Sequence, residues 1–186
     1  RYAEQYRITH TQLVPTMFIR MLKLDDAVRL KYDVSSIEVA IHAAAPCPVP
    51  TKKAMIEWWG PVIHEYYAGT EGNGFVYCNS DMWMSHPGTV GKAIQGIVHI
   101  CDENGEEVPV GESGTVYFDS GTVFEYHNDP EKTQSSRDPK GRGWTTLGDI
   151  GHLDDDKFLY LTGHFNGNID EFNSIKPSGR KLYGDV

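Results

Sequence analysis

The sequence has no long hydrophobic run: none of its apolar stretches approaches the roughly 18 residues that a membrane-spanning helix needs. Its first residues, RYAEQYRITH, show neither the apolar core nor the small-residue cleavage site of a signal peptide. These absences predict a globular, cytoplasmic protein without a transmembrane segment. The 186 residues and the 39% hydrophobic content are enough for one ordinary domain or two small ones.

Basic charge is also sparse, because 17 Lys and Arg residues stand against 26 Asp and Glu, giving a formal net charge of −9. Nucleic-acid binding needs clustered basic side chains, and no dense basic stripe is present, so a nucleic-acid partner is not predicted. An anionic ligand would need local backbone donors or a metal. The three cysteines form no CxxC pair and the eight histidines no pair at helical spacing, so neither a disulfide framework nor a zinc site is predicted.

The first 80 residues alternate helix and strand signals, which predicts an α/β fold. Helical spacing predicts a helix from residue 15 to about residue 31. A strand at 37–43, a helix at 51–59 and a strand at 62–67 are predicted next. Strand, helix and strand with short connections predict a βαβ unit, and hence part of a parallel sheet with ligand-binding loops at the carboxyl ends of its strands.

From about residue 81 the pattern changes to short β-like runs separated by glycine turns, such as SGTVYF and KFLYLT. Asn104-Gly105 is a turn signal between two such runs. Residues 81–162 are therefore predicted to form a small antiparallel β subdomain, barrel-like in character. Residues 163–186 lack periodicity and apolar density, and a loop or a poorly ordered tail is predicted there.

A glycine-spaced loop, AGTEGNG, follows the predicted strand at 62–67. Its glycines let the backbone approach a ligand closely. Thr70 offers a hydroxyl donor, and Glu71 offers a carboxylate suited to Mg²⁺ beside phosphate oxygens. Tyr67, just before the loop, can lie against a flat base. A plain glycine turn with an exposed Thr-Glu pair is the favoured interpretation of this window alone, so its context has to decide.

Two further windows hold groups suited to a nucleotide. The small residues of HAAAPCP, residues 42–48, leave room for a planar group, although a tight connection before a helix also explains them. Asp149 lies inside the strand-like run GWTTLGDIGHL, where a carboxylate is unusual unless it is partnered at a bend. One acidic side chain can bind two ribose hydroxyls. The alternative is a solvent-facing strand aspartate.

These windows, in this order, resemble the adenylate-forming enzymes, specifically the acyl-CoA synthetases (fatty-acid–CoA ligases) and part of their large N-terminal domain. The resemblance runs from residue 1 to about residue 162. It rests on six segments: THTQLVPTMF, AIHAAAPCP, YYAGTEG, HPGTVGKAIQG, GEEVPVGESGTVYF and GWTTLGDIGHLDDDKFLYLT.

The resemblance implies a role for each matching residue. Thr70 and Glu71 would be the catalytic pair, with Thr70 hydrogen-bonding the α-phosphate and Glu71 ligating Mg²⁺. The remaining implied contacts are adenine at Ala44, Ala45, Pro46 and Tyr67, the nucleotide loop at Gly69, the ribose at Asp149, and the acyl pocket at Gly72, Asn73 and Gly74.

The implied reaction has two halves. A carboxylic acid, expected to be a fatty acid, attacks the α-phosphate of ATP to give acyl-AMP and pyrophosphate, and the thiol of coenzyme A then displaces AMP. An adenylation module for another carboxylic acid is the alternative within the superfamily.

Two departures limit the resemblance. The family's Ser/Thr/Gly-rich phosphate loop has no counterpart here, and Gly163-His164 stand where the family has an Asp-Arg pair, before a segment without resemblance that lacks the catalytic lysine. The isolated chain is therefore expected to be inactive. A nucleotide- or acyl-binding remnant and an unrelated β-rich binding module are the remaining hypotheses.

Overall fold

A computed structural model describes residues 1–164. The predicted tail at 163–186 therefore lies almost entirely outside the described residues. Along the chain the elements are α1 (Tyr2–Tyr6), β1 (His10–Leu13), α2 (Pro15–Leu22), α3 (Asp26–Arg29), β2 (Val39–His42), α4 (Val49–Trp59), β3 (Ile63–Tyr67), β4 (Phe75–Cys78), α5 (Ser80–Ser85), β5 (Lys92–Gln95), β6 (Ile97–Cys101), β7 (Gly114–Asp119), α6 (Pro130–Ser135), β8 (Thr145–Leu153) and β9 (Leu159–His164).

The chain divides into two compact units. Unit 1 comprises residues 1–67 and 76–92, and unit 2 comprises residues 68–75 together with the described residues from 93 on. The subdomain limits 1–80 and 81–162 stay a prediction. No helix among the described residues has the length and apolar character to cross a membrane.

Unit 1 is built on the predicted βαβ unit, which is confirmed. Strands β1, β2 and β3 are parallel and lie in this order, and β4 is antiparallel to β3. Helix α4 connects β2 to β3 and ends at Gly60, as the sequence predicts. The core beneath the helices consists of Phe18, Ile37, Ala40, Met55 and Ile63.

The helix predicted from residue 15 to about residue 31 is wrong in its second half, because two helices occupy this range. Helix α2 ends at Leu22, and Asp25 has φ −56° and ψ 142°, which leaves the helical region. Asp is a poor residue inside helices and a good one at their starts, and α3 begins directly after Asp25. Val28 is 46% exposed, so its spacing does not report a core-facing position.

A buried polar cluster joins α4 to the sheet of unit 1. The Lys52 ammonium lies 2.5 Å from Glu65 Oε2, and both side chains are buried. The Lys52 Nζ also lies 5.3 Å from the centroid of the Trp83 ring. His42, fully buried on β2, has its Nε2 3.7 Å from the same Glu65 oxygen. Burial, and secondarily the positive charge of Lys52, lowers the pKa of His42 to about 3, so the imidazole is neutral in the fold.

The neutral state of His42 predicts an acid-sensitive stability. The imidazole has a pKa near 6.5 in the unfolded chain and about 3 in the fold, so below pH 6.5 the unfolded state binds the additional proton. This stabilisation is therefore complete above pH 6.5 and is lost as the pH falls towards 3. Between about pH 8 and about pH 5 the loss is about 2 kcal/mol in the free energy of unfolding.

His42→Gln removes the titrating group while keeping a polar side chain. Denaturant unfolding at several pH values should show a flatter pH dependence for this variant than for the wild type. His64, whose pKa is also lowered by burial, is present in both proteins and cancels in the comparison. Equal pH slopes in the two proteins would contradict a neutral, buried His42.

Unit 2 contains the predicted antiparallel sheet, which is confirmed, with strand order β6-β7-β8-β9. Its core includes Val116, Phe118, Ile150, Phe158 and Leu159. The loop 69–74 belongs to this unit and packs against it. Gly74 meets the buried Phe118 ring so closely that a Cβ at Gly74 would overlap the ring carbons.

Gly74→Ala is therefore predicted to destabilise the fold by about 3 kcal/mol, because the buried Phe118 ring has little room to move. Gly72→Ala is the matched control. Gly72 has φ +69° but open space around its Cβ position, so only backbone strain of about 1 kcal/mol is expected. Thermal or denaturant unfolding of both variants measures the difference. A Gly74 variant as stable as the Gly72 variant would show that the loop does not pack on Phe118.

Candidate functional site

The loop between β3 and β4 presents Thr70 and Glu71 at the corner of a tight turn. The Gly72 N–H donates to the Gly69 carbonyl at 3.1 Å, and Gly72 has the left-handed φ of 69°. The turn thus spans residues 69–72 and has the two predicted catalytic residues at its central positions. Thr70 is exposed and Glu71 is half-buried.

Strand β8 of the same unit holds this turn at two points. At Gly69 a Cβ would lie 2.7 Å from Leu147 Cδ1, so the Leu147 side chain packs directly on the loop backbone and would have to shift for a larger residue. At the other end, the Asn73 Nδ2 donates to the Thr145 carbonyl at 3.4 Å. Since β8 also carries Asp149, the contacts of unit 2 fix the loop to the strand of the predicted ribose ligand.

Asp149 lies at an irregularity of β8, as the sequence suggested for a carboxylate inside a strand. Gly148 before it has φ 86°, and the Gly148 N–H donates to Thr146 Oγ1 at 2.9 Å. The register between β8 and β9 shifts between Ile150 and Gly151. Asp149 is half-buried in this setting.

Glu71 has a hydrogen-bond partner that the sequence did not reveal. The Tyr126 hydroxyl donates to Glu71 Oε1 at 2.9 Å, and the Thr70 hydroxyl lies 3.4 Å from Glu71 Oε2. Burial of the phenol, followed by this hydrogen bond and the charge of Glu71, raises the pKa of Tyr126 to about 12. The phenol therefore stays protonated at neutral pH and acts as a donor.

The three residues predicted to line an acyl pocket differ in exposure. Gly72 is exposed, whereas Asn73 and Gly74 are buried. Asn73 Oδ1 and Thr145 Oγ1 are buried and have no hydrogen-bond partner within residues 1–164. A pocket-lining role for Gly72, Asn73 and Gly74 stays a prediction.

The remaining predicted site residues belong to unit 1. Ala44, Ala45 and Pro46 follow β2 and are exposed, and Tyr67 is the last residue of β3 and half-buried. Because β2 and β3 are adjacent parallel strands, both groups follow carboxyl ends of the same sheet, where ligand loops are expected. Ala44 has φ 71°, a left-handed conformation that is strained for a residue with a side chain.

The oxygen atoms of the turn at 69–72 could ligate a Mg²⁺ ion that is bound together with a nucleotide. Glu71 supplies one carboxylate, and Mg²⁺ is commonly held by one or two carboxylates together with substrate phosphates and waters. Among the residues that the structure describes, no three His, Cys, Asp or Glu side chains are grouped to hold a metal by themselves. The donor set thus fits a cation that is bound together with a nucleotide.

Comparison with known proteins places these features in a family. The sequence model described as AMP-binding enzyme matches residues 1–126. A 3-[(3aS,4S,7aS)-7a-methyl-1,5-dioxo-octahydro-1H-inden-4-yl]propanoyl:CoA ligase from Rhodococcus jostii is 33% identical over 175 residues, which cover 86% of this chain and 31% of that protein.

The solved structures that are similar to this chain include the following two. The amide bond synthetase McbA from Marinactinospora thermotolerans has a TM-score of 0.75 at 28% identity, covering 87% of this chain and 32% of that one. The anthranilate CoA ligase AuaEII, solved with anthranoyl-AMP, has a TM-score of 0.73 at 26% identity, covering 87% and 30%.

The chain spans about a third of the length of the curated relatives it matches. The family match covers 126 of its 186 residues and includes the loop of Thr70 and Glu71 as well as Tyr126. On this match the chain belongs to the AMP-binding enzyme family.

Proposed function

We propose that this chain contributes the nucleotide-binding part of an ATP-dependent acid–thiol ligase. The proposed reaction activates a carboxylic acid as acyl-AMP and transfers the acyl group to coenzyme A. The observation that supports it best is the turn at 69–72, which presents Thr70 and Glu71 while two contacts fix it to the strand of Asp149. We also propose that the protein works in the cytoplasm.

In this proposal the turn at 69–72 binds the α-phosphate and its Mg²⁺ ion. Thr70 is exposed, and its hydroxyl would donate to an α-phosphate oxygen. Glu71 would ligate Mg²⁺, which, when bound, offsets negative charge on the phosphate oxygens. Holding both groups on one tight turn limits their motion relative to each other, and such preorganisation is what positioning and charge stabilisation require.

We propose nucleoside contacts at the carboxyl ends of β2 and β3 and, separately, on β8. Asp149 would accept hydrogen bonds from the two ribose hydroxyls, and Tyr67 would lie beside the adenine with Ala44, Ala45 and Pro46. The left-handed Ala44 is consistent with a loop whose shape serves a ligand, since backbone strain concentrates at such places.

The acid is proposed to be a fatty acid, with Gly72, Asn73 and Gly74 next to its acyl chain. The names of the similar proteins include a methyl-dioxo-octahydro-indenyl propanoyl:CoA ligase and an anthranilate CoA ligase, so family membership alone is compatible with polycyclic and aromatic acids. Binding of non-hydrolysable acyl-sulfamoyl adenosines tests this without turnover. A long-chain acyl analogue should bind more tightly than an acetyl or an aryl analogue, and the reverse order would replace the fatty acid by another class.

Asp149→Asn is predicted to weaken binding of AMP about tenfold, equivalent to about 1.4 kcal/mol, because a neutral amide is a poorer acceptor for two ribose hydroxyls. Binding of 2′,3′-dideoxy-AMP should not change, since this ligand lacks both hydroxyls. Asp155→Asn, at an exposed turn position, is the matched control and should bind AMP like the wild type.

Isothermal titration calorimetry measures these affinities on the chain itself. An equal loss for AMP and its dideoxy analogue would remove Asp149 from the ribose site while leaving the rest of the proposal standing. Absence of any AMP binding by the wild type would overturn the proposed nucleotide site in this chain.

A further inference from the structure

One contact in unit 2 links a predicted catalytic residue to a side chain for which the sequence implied no role. The Tyr126 hydroxyl lies 2.9 Å from Glu71 Oε1, although 55 positions separate the two residues. Both side chains are half-buried, so the hydrogen bond is partly shielded from water. A hydrogen bond from a neutral donor to a carboxylate is stronger than one between two neutral groups.

Tyr126 lies in a segment without regular secondary structure, yet several contacts fix it. The Tyr126 N–H donates to Thr133 Oγ1 at 2.8 Å, and the Thr133 hydroxyl in turn donates to the Asp129 carbonyl at 2.8 Å. The Lys132 ammonium lies 4.1 Å from the centroid of the Tyr126 ring. Phe124 packs edge-on against the same ring at 5.5 Å.

Most of these contacts come from α6 or its cap. This six-residue helix contains no buried residue, so it adds nothing to the apolar core. It is started by Pro130 and by the Asp129 side chain, which accepts from the Lys132 N–H at 2.9 Å. What α6 supplies is the hydroxyl of Thr133 and the ammonium of Lys132, both placed on Tyr126.

The two oxygens of Glu71 are thereby made inequivalent. Oε1 accepts from Tyr126, while Oε2 is approached by the Thr70 hydroxyl at 3.4 Å, a weak contact. A phenol orients the carboxylate without supplying a formal positive charge. The carboxylate therefore keeps a fixed direction together with its negative charge, which are the two properties that a cation ligand needs.

We propose that Tyr126, held by α6, is a positioning residue for Glu71: its hydroxyl fixes one carboxylate oxygen and leaves the other for the Mg²⁺ that accompanies the nucleotide. This inference rests on the proposed function, in which Glu71 is the cation ligand. It assigns Tyr126 no direct contact with substrate.

Tyr126→Phe removes only the hydroxyl and tests the proposal in the full chain. Calorimetry should show that affinity for ATP with Mg²⁺ falls about tenfold, within the range for a lost hydrogen bond to a charged group. Affinity for AMP without metal should change less than about twofold, because that complex does not use Glu71 as a cation ligand. Tyr160→Phe is the matched control, since the Tyr160 hydroxyl donates to the Asp154 carboxylate at 3.2 Å outside the candidate site. It should leave both affinities unchanged.

A double-mutant cycle separates positioning from a general structural role. In a Glu71→Gln background the additional Tyr126→Phe change should cause no further loss of Mg²⁺-dependent binding, because the group through which it acts is already altered. Additive losses, or an unchanged ATP affinity in Tyr126→Phe alone, would overturn the proposal. Should that variant fail to fold, Thr133→Val, which removes the acceptor of the Tyr126 N–H, should lower Mg²⁺-dependent binding in the same direction, and wild-type affinity in this variant would count against the proposal.

Nucleotide binding by the wild-type chain separates a failure of the proposed function from a failure of the proposed role of Tyr126. A wild-type chain that binds neither AMP nor ATP with Mg²⁺ would overturn the proposed function and the role of Tyr126 together. A wild-type chain that binds both, with Tyr126→Phe indistinguishable from it, would overturn the role of Tyr126 alone.

Discussion

The ion pair between Lys52 and Glu65 is the constraint on which unit 1 depends. Two buried charges are stable there only because they face each other at 2.5 Å, and removal of one partner would leave the other uncompensated at a cost of several kcal/mol. The pair connects α4 to β3. The loop of Ala44 to Pro46 immediately precedes α4, and Tyr67 ends β3, so one ion pair holds the two elements from which the proposed adenine contacts project.

In unit 2, glycines hold the loop 69–74 in place, because positions without a side chain allow close packing. Gly69 lets Leu147 approach, and Gly74 lets the Phe118 ring approach, so the loop is held by van der Waals contact with β7 and β8. Gly72 has a different task, because its left-handed φ closes the turn and its surroundings are open. Three glycines in one loop thus serve two distinct requirements, close packing and backbone conformation.

The sequence predicted the local features and missed those that depend on distant contacts. The βαβ unit, the antiparallel strands and the stop at Gly60 follow from periodicity and from glycine and proline chemistry, and they are confirmed. The break at Asp25 was missed because apolar spacing continued through it. No local signal marks Lys52 as buried, since its burial depends on a carboxylate 13 positions away. Helix α6 was not predicted, although Asp129-Pro130 is a typical helix start. Nothing local indicates that Tyr126 reaches Glu71.

In the proposed site, the neutral phenol of Tyr126 is a better partner for Glu71 than a positively charged side chain would be. A lysine or arginine at this position would pair with the carboxylate and compete with a cation for it, since opposite charges a few ångströms apart interact by about 4 kcal/mol near a protein surface. Tyr126 orients Glu71 without that competition. The Lys132 ammonium lies against the face of the Tyr126 ring. The hydrogen bond to Glu71 is made by the Tyr126 hydroxyl. In the proposed site, a fixed carboxylate that is not paired with a cationic side chain would distinguish Glu71 from a structural ion-pair partner such as Glu65.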